Sequence, residues 1–247
     1  MANLYKNVGE LLEENHRYAA VLHQHGIDFF DHLDQTLAEA CRSNQVSLQK
    51  VHDHLTRVDL QVESLEKDFR HYSPGRLATH LQKSHHNYAQ VMLPIIQHHI
   101  ERTAAKHNRE YPHLHLINNV FEAFCRDFLE HIHYENRVVF PYIKKLERHA
   151  VFFRHTFLLD VKDFSLDQFI LKHAHDDDDM LLLRKLTHQY RTDADDHIAY
   201  KILMRELRDF EADLHQHSLI EEKILIPKVQ VLEKNLHRRL GEAVKAN

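Results

Sequence analysis

The chain has 247 residues, with 32 Lys and Arg against 37 Asp and Glu and a formal net charge of −5. Acidic and basic residues are interspersed, so a nucleic-acid-binding surface is not expected. No apolar run approaches the roughly 18 residues of a membrane span, so no such span is expected. The sequence has only 2 cysteines, which are too few for a disulfide scaffold. With 4 Gly, 5 Pro and few segments that alternate with period 2, the composition predicts an all-α protein.

The N-terminal part of the chain, residues 1–73, reads as several short helices in a small helical domain. Its first residues lack the basic-then-apolar pattern of a signal peptide, so we expect a cytoplasmic protein. Gly26 is a candidate C-cap. The sequence "SPGR" at 73–76 is the best candidate linker, since Ser73 can cap a new helix whose first turn contains Pro74. We therefore predict a second domain over 74–247.

Four longer helices are predicted in this second domain. They span roughly 76–106, 112–149, 166–191 and 194–238. The capping pattern "SLDQ" opens the third helix, and Asp193 is a candidate cap for the fourth. Residues 150–164 are expected to connect the second and third helices. Long helices with mostly short connections predict an antiparallel, up-down four-helix bundle.

The second and fourth helices share a pattern at an offset of 86 residues. Read at alternating steps of four and three, the inward positions are Ile117, Phe121, Phe124, Phe128, His131, Glu135, Val138 and Tyr142 in one helix, and Leu203, Leu207, Phe210, Leu214, His217, Glu221, Ile224 and Lys228 in the other. Each apolar stripe is thus interrupted by one His and one Glu, and a proline, Pro141 or Pro227, follows six residues after the Glu. A carboxylate at a core position is costly unless it is paired or binds a metal, and residues four apart lie on one helix face. The repeat therefore predicts a metal site.

The other two helices are each expected to contribute one ligand. In the third, His175 lies on the apolar stripe, and Asp179 repeats the His-x3-carboxylate spacing as a candidate additional group. In the first, both His85 and His86 lie on apolar stripes, and periodicity leaves both open. Four imidazoles and two carboxylates without a thiolate suit a pair of iron or manganese ions, although ligand type alone leaves zinc possible.

The motifs "HHNYAQVMLP", "HIHYENRVVFP", "HDDDD" and "HSLIEEKILIP" resemble the hemerythrin-like (HHE cation-binding) domain, and specifically the repair-of-iron-centres family. In that family the first histidine precedes the proline of an "LP" pair by eight residues, a spacing that points to His86 here. The ligand set that the resemblance implies is His86, His131, Glu135, His175, His217 and Glu221, with the two glutamates as bridges between two iron ions.

The resemblance extends to the N-terminal segment, with two departures. "HGIDFFDHLDQTLAEAC" is similar to the family's N-terminal domain, but Phe30 and Asp31 occupy the positions of its cysteine pair, and His32 and Leu33 those of its glycines. Cys41 is expected to be a packing residue. Ala174 occupies a position where relatives often carry a Glu.

The resemblance implies a di-iron protein that repairs iron–sulfur clusters damaged by nitrosative or oxidative stress, with donation of iron to the damaged iron–sulfur proteins as the candidate route. The alternatives are a protein that binds or senses O₂ or NO, and an enzyme that reduces NO or peroxide at a di-iron centre. A structural zinc bundle is the remaining alternative. A homodimer is compatible with the apolar N-terminal segment.

Overall fold

The computed structural model describes residues 6–61, 69–152, 164–173 and 180–245. Within these ranges the chain is helical, with no β-strand and one isolated bridge, between Asn7 and Thr36. The predicted all-α fold is therefore confirmed, while the up-down order of the bundle helices stays a prediction.

The α-helices of the described residues, in chain order, are α1 Val8–Glu14, α2 Tyr18–Gln24, α3 Leu37–Ser43, α4 Leu48–Gln61, α5 Pro74–Asn87, α6 Leu93–His107, α7 Leu114–Tyr134, α8 Phe140–Val151, α9 Leu166–His173, α10 Leu181–Leu186, α11 Ile198–Ile220 and α12 Ile226–Lys245. Short 3₁₀ turns occupy Phe29–Asp31 and Phe69–His71. Three five-residue π-turns, Tyr88–Met92, Glu135–Val139 and Glu221–Leu225, join α5 to α6, α7 to α8 and α11 to α12.

Most of the predicted helix ends are confirmed by their caps. Ser73 accepts a hydrogen bond from the Arg76 N–H at the start of α5, and Pro74 is the first residue of that helix. The hydroxyl of Ser165 accepts from the Gln168 N–H at the start of α9. Gly26 lies just after α2 with a φ of +75°, a left-handed conformation that glycine adopts without a steric penalty.

Two predicted boundaries are wrong. Asp193 does not cap the fourth long helix, which begins at Ile198; its backbone N–H instead donates to Asp196. The third long helix does not continue to residue 191, because α10 ends at Leu186 and a left-handed stretch follows. His188, Gln189 and Tyr190 have φ values of 48°, 66° and 59°, which an α-helix cannot contain.

The chain divides into two compact units. The first comprises 1–67, 90–122 and 180–211, and the second comprises 68–89, 123–179 and 212–247. The sequence-based division into 1–73 and 74–247 stays a prediction.

The first unit has an apolar core to which α1–α4 contribute. Val8, Leu12, Leu22, Leu37 and Val51 are fully buried or nearly so. Asn7 and Thr36 cap α1 and α3 with reciprocal hydrogen bonds to the glutamates three residues later, which fixes where these short helices begin. Cys41 is 1% exposed within this core, and its predicted role as a packing residue is confirmed.

The second unit is built around α5, α8 and α12. Leu77, Leu81, Phe140, Leu146 and Val229 form the centre of its core. Gly75 lies at the contact between α5 and α8, where the carboxylate of Glu147 occupies the space that a Cβ atom would take. Close approach of these helices positions the residues described below.

None of the helices in the described part of the chain combines the length and the apolar character needed to cross a bilayer.

Candidate metal centre

A π-turn interrupts the first, second and fourth of the long helices shortly before a proline. The turns begin at Tyr88, Glu135 and Glu221, and Pro94, Pro141 and Pro227 each follow six residues later. Proline lacks an N–H and its ring collides with the carbonyl four residues earlier, so the regular helical ladder cannot continue past it. The wider π-turn resolves this conflict, and π-turns in helices are frequent at functional sites.

The hydrogen bonds of the second and third π-turns start at the two glutamates of the repeat. The Phe140 N–H donates to the carbonyl of Glu135, and the Ile226 N–H donates to the carbonyl of Glu221. Both bonds span five residues instead of four. The glutamates therefore lie at matching points of two helices.

Three buried side chains of the second unit converge on one point. His85 Nε2 lies 2.9 Å from His217 Nε2 and 3.2 Å from Glu135 Oε2. One ligand atom from each of the three residues lies within 4.8 Å of the other two. Two imidazole nitrogens and a carboxylate oxygen that face each other in this way are positioned to bind a metal ion.

Burial keeps the two imidazoles neutral. His85 and His217 are 0% and 8% exposed. Burial lowers the pKa of His85, and burial followed by the neighbouring His85 lowers the pKa of His217 to about 3. A neutral imidazole retains a lone pair on one nitrogen, which is the form that binds metals.

Glu135 lies between two imidazoles, those of His85 and His131. Its Oε2 faces His85, whereas its Oε1 lies 2.9 Å from Nε2 of His131, one helical turn earlier. The Glu135 side chain is 1% exposed and that of His131 is 33% exposed. Each oxygen of the Glu135 carboxylate therefore contacts a different imidazole, and of these two imidazoles that of His131 is the one accessible to solvent.

Glu221 is the counterpart of Glu135 in the fourth long helix. It is 2% exposed and begins the third π-turn, four residues after His217. Its carboxylate is not one of the three groups that converge within 4.8 Å. The structure therefore buries both glutamates of the repeat and brings one of them into contact with histidines from two helices.

The first helix presents His85 to the site, and His86 is exposed on another face of α5. This placement departs from the assignment of His86, which rested on counting eight residues back from Pro94. The physical reason is the π-turn Tyr88–Met92, which lies between the histidines and the proline. Because a π-turn changes the angular advance per residue, a count taken across it does not preserve the helix face.

The remaining predicted positions of the third helix cannot be placed. His175, Asp179 and Ala174 lie outside the described residues.

The site has neighbours that the sequence patterns did not single out. Asn136 places its Oδ1 3.1 Å from Nδ1 of His85, and the Phe140 ring stacks on His85 at 5.4 Å. Tyr88 is 1% exposed and meets His217 edge-on at 5.6 Å. One signal for Tyr88 is present in the sequence, because it precedes Pro94 by six residues, as Glu135 and Glu221 precede their prolines.

Phe30 and Asp31, which stand where the resembled family has its cysteine pair, take part in packing and ion pairing in the first unit. Both oxygens of Asp31 accept from Arg102 at 2.8 Å, and Lys106 donates to Asp31 and to the Phe30 carbonyl. The Lys106 ammonium, together with Arg102, holds the pKa of Asp31 below its usual range. Phe30 is 6% exposed, and the Arg102 guanidinium lies over its ring, with Cζ 5.5 Å from the ring centroid.

The chain is similar to curated iron–sulfur cluster repair proteins along most of its length. It is 20% identical over 225 residues to iron-sulfur cluster repair protein ScdA of Staphylococcus epidermidis, 90% of this chain and 96% of the relative being covered. It is 19% identical over 221 residues to the ScdA protein of Staphylococcus haemolyticus, with the same coverage. It is 23% identical over 226 residues to iron-sulfur cluster repair protein YtfE of Musicola paradisiaca, 90% of this chain and 95% of the relative being covered.

No family model matches the chain. The relatives are nonetheless matched across both the N-terminal segment and the helices that carry the His and Glu residues, since nine tenths of the chain is covered. Over nine tenths of its length the chain is therefore similar, at 19–23% identity, to curated iron–sulfur cluster repair proteins.

Proposed function

We propose that the chain is a non-haem di-iron protein that takes part in the repair of damaged iron–sulfur clusters. The main support for a metal site is that His85, Glu135 and His217 converge in a buried position. Nitrogen and carboxylate donors without a thiolate suit iron or manganese. Iron is favoured because the relatives are named for the repair of iron–sulfur clusters.

The proposed ligands for two ions are His85, His131, Glu135, His175, His217 and Glu221. His85 replaces His86 in this set because His85 is the buried histidine of the pair. Glu135 is proposed as one bridge, since its two oxygens face different imidazoles. Glu221 is proposed as the other because it repeats the position of Glu135 after the same spacing from a histidine and before a π-turn.

A bound iron pair would supply redox-active metal with coordination positions that six protein ligands leave open. The surrounding side chains decide access to it. His85, Glu135 and His217 are buried, whereas His131 is a third exposed, so exchange of an ion or a small ligand is expected at the His131 edge. An accessible edge is compatible with an iron donor to damaged iron–sulfur proteins.

The role in repair, as proposed for this chain, does not require thiols in the N-terminal segment. Phe30 and Asp31 take the place of the family's cysteine pair, and Cys41 is buried with its pKa raised by burial. A buried thiol with a raised pKa is a poor nucleophile and a poor metal ligand. The helices that carry the His and Glu residues are therefore proposed to hold the active part of the molecule.

Binding of O₂ or NO is the second candidate function. It is favoured by the apolar ring of Phe140, which stacks on His85, and by the packing of Phe128 against Tyr88 at 5.7 Å. An apolar surrounding of this kind suits a small uncharged ligand.

The test uses the full chain, purified anaerobically and loaded with ⁵⁷Fe. Mössbauer spectra and metal analysis report whether a coupled pair of iron ions is bound. The loaded protein is then incubated with an iron–sulfur enzyme whose cluster has been damaged by nitric oxide, beside an equal amount of free Fe²⁺. We expect faster recovery of the damaged enzyme than with free iron, and no such gain with Glu135→Ala.

Glu222→Ala is the matched control, since Glu222 is exposed beside Glu221. No gain over free iron by the wild-type protein, together with an intact di-iron spectrum, would leave gas binding as the function. Zinc in place of iron after anaerobic purification would overturn the di-iron assignment itself.

A further inference from the structure

Asn136 contacts the nitrogen of His85 that faces away from the metal position. Oδ1 of Asn136 lies 3.1 Å from Nδ1 of His85, while Oε2 of the preceding Glu135 lies 3.2 Å from Nε2 of the same ring. Two consecutive residues of one π-turn thus hold opposite sides of a single buried imidazole. We propose that Asn136 is a positioning residue that fixes the ring orientation and tautomer of His85 so that Nε2 is presented to the metal; this inference rests on the proposed metal site.

The tautomer follows from the hydrogen-bonding capacity of the two groups. An amide oxygen can only accept, so a hydrogen bond to Oδ1 requires the proton of the neutral imidazole to be on Nδ1. The lone pair is then on Nε2, the atom that faces Glu135 and His217. If Nδ1 had no acceptor, the proton could move to Nε2, and His85 would lose its free lone pair at the site.

The orientation of the ring is determined by the same contacts. Phe140 stacks on the face of His85, which still permits a 180° flip of the imidazole about its Cβ–Cγ bond, because the flipped ring has the same plane. The bond from Nδ1 to Asn136 removes that freedom. Metal-binding histidines commonly donate their second N–H to such an acceptor, and loss of the acceptor typically costs tenfold to a hundredfold in metal affinity.

An amide supplies this acceptor without a charge. A carboxylate at the same position would put another negative charge next to Glu135, which would strengthen binding of a cation. Asn136 is therefore expected to orient His85 while it leaves the bound metal easier to release than an aspartate would.

The twin turn offers a natural comparison. Glu222 lies at the offset of 86 from Asn136, directly after Glu221, but it is exposed and its carboxylate lies 3.7 Å from Lys223. The positioning contact is therefore made at only one of these two equivalent positions, and Glu222 serves as the control site.

The experiment compares Asn136→Leu, Asn136→Asp and Glu222→Leu with the wild-type full chain. Leucine keeps the approximate size of the side chain but removes the acceptor, whereas aspartate restores the acceptor. Affinity is measured by anaerobic titration with Fe²⁺ against a chromogenic chelator, and the absorption bands of the Co²⁺-loaded protein report ligand geometry. Circular dichroism confirms that each variant is folded, which is expected because Asn136 is only half-buried.

We expect Asn136→Leu to weaken Fe²⁺ binding by about tenfold to a hundredfold and to change the Co²⁺ bands. Asn136→Asp should bind at least as tightly as wild type, and Glu222→Leu should bind like wild type. Equal affinity of Asn136→Leu and wild type, or equal losses in Asn136→Leu and Asn136→Asp, would overturn the positioning role. A Glu135→Ala variant measured in parallel tests the metal site itself: if it binds Fe²⁺ like wild type, the proposed function fails before the role of Asn136 can apply.

Discussion

His85 and His86 are adjacent on α5, and a pair of single substitutions distinguishes the two possible registers of the metal centre. His85 is 0% exposed with Nε2 facing His217, whereas His86 is exposed. We expect His85→Ala to lose most of its bound iron, because it removes one of the three converging ligand atoms. His86→Ala should retain its iron. Metal content after anaerobic loading and desalting measures both.

The reverse result would assign the first ligand to His86 and would mean that α5 turns its other face inward.

The choice between the two residues illustrates what could be predicted at this scale. Glu135, His217 and Glu221 were identified from their spacing because two helices repeat it, and all three are buried in the structure. The first helix has one pair of adjacent histidines, and its pattern is not repeated in another helix, so periodicity could not choose between the two histidines.

Asn136 and Tyr88 mark a different limit at the residue scale. A half-buried Asn next to a Glu and a Tyr in an apolar stripe are ordinary features of helix sequences. Their contacts with His85 and His217 depend on the rotation of two helices, to within about an ångström. No spacing rule carries that information.

At the scale of elements, the prolines and π-turns position the glutamates. The Phe140 N–H reaches the Glu135 carbonyl across five residues because Pro141 cannot complete a regular turn. We expect Pro141→Ala to allow a regular α-helix, which rotates Glu135 relative to the residues after the turn. Iron affinity should fall by about tenfold, the lower end of the range for misoriented ligands. The metal-free protein should not be destabilised, since Ala is the better helix former by about 3 kcal/mol.

Titration with Fe²⁺ and thermal unfolding of the metal-free protein measure these two effects separately. Pro112→Ala is the matched control, because Pro112 is exposed in the turn before α7. Unchanged iron affinity in Pro141→Ala would show that the π-turn does not orient Glu135.

The helices themselves were largely predictable, whereas the π-turns were not. Ser73 and Ser165 begin helices where the capping pattern places them. Three of the four predicted long helices contain a proline, Pro94, Pro141 or Pro227, yet the sequence does not say whether a kink, a break or a widened turn results. The left-handed stretch His188–Tyr190 was also missed, because none of its residues is a glycine.

At the scale of the whole molecule, the chain combines a buried group of His and Glu residues that could hold a metal ion with an N-terminal segment in which Phe30 and Asp31 stand where the resembled family has cysteines. Asp31 instead forms ion pairs with Arg102 and Lys106 inside the first unit. The converging ligands belong to the second unit, in segments 68–89, 123–179 and 212–247 that are far apart in the sequence. A metal ion at this site would join these segments, so that metal binding and folding should be coupled.

We therefore expect the unfolding temperature of the full chain to depend on metal. A ligand that binds only the folded state stabilises it by RT ln(1 + [L]/Kd), about 2.7 kcal/mol at a free concentration of 100 Kd. We expect saturating Fe²⁺ under anaerobic conditions to raise the unfolding temperature, and a chelator to reverse the increase. Calorimetry of wild type and Glu135→Ala measures the effect, and Glu222→Ala supplies the control. The chain has 26 histidines in all. An increase of the same size in Glu135→Ala would therefore mean that the stabilising metal binds elsewhere, for example to histidines outside the proposed site. The absence of any increase in wild type would mean that the convergence of His85, Glu135 and His217 does not hold a metal ion in solution.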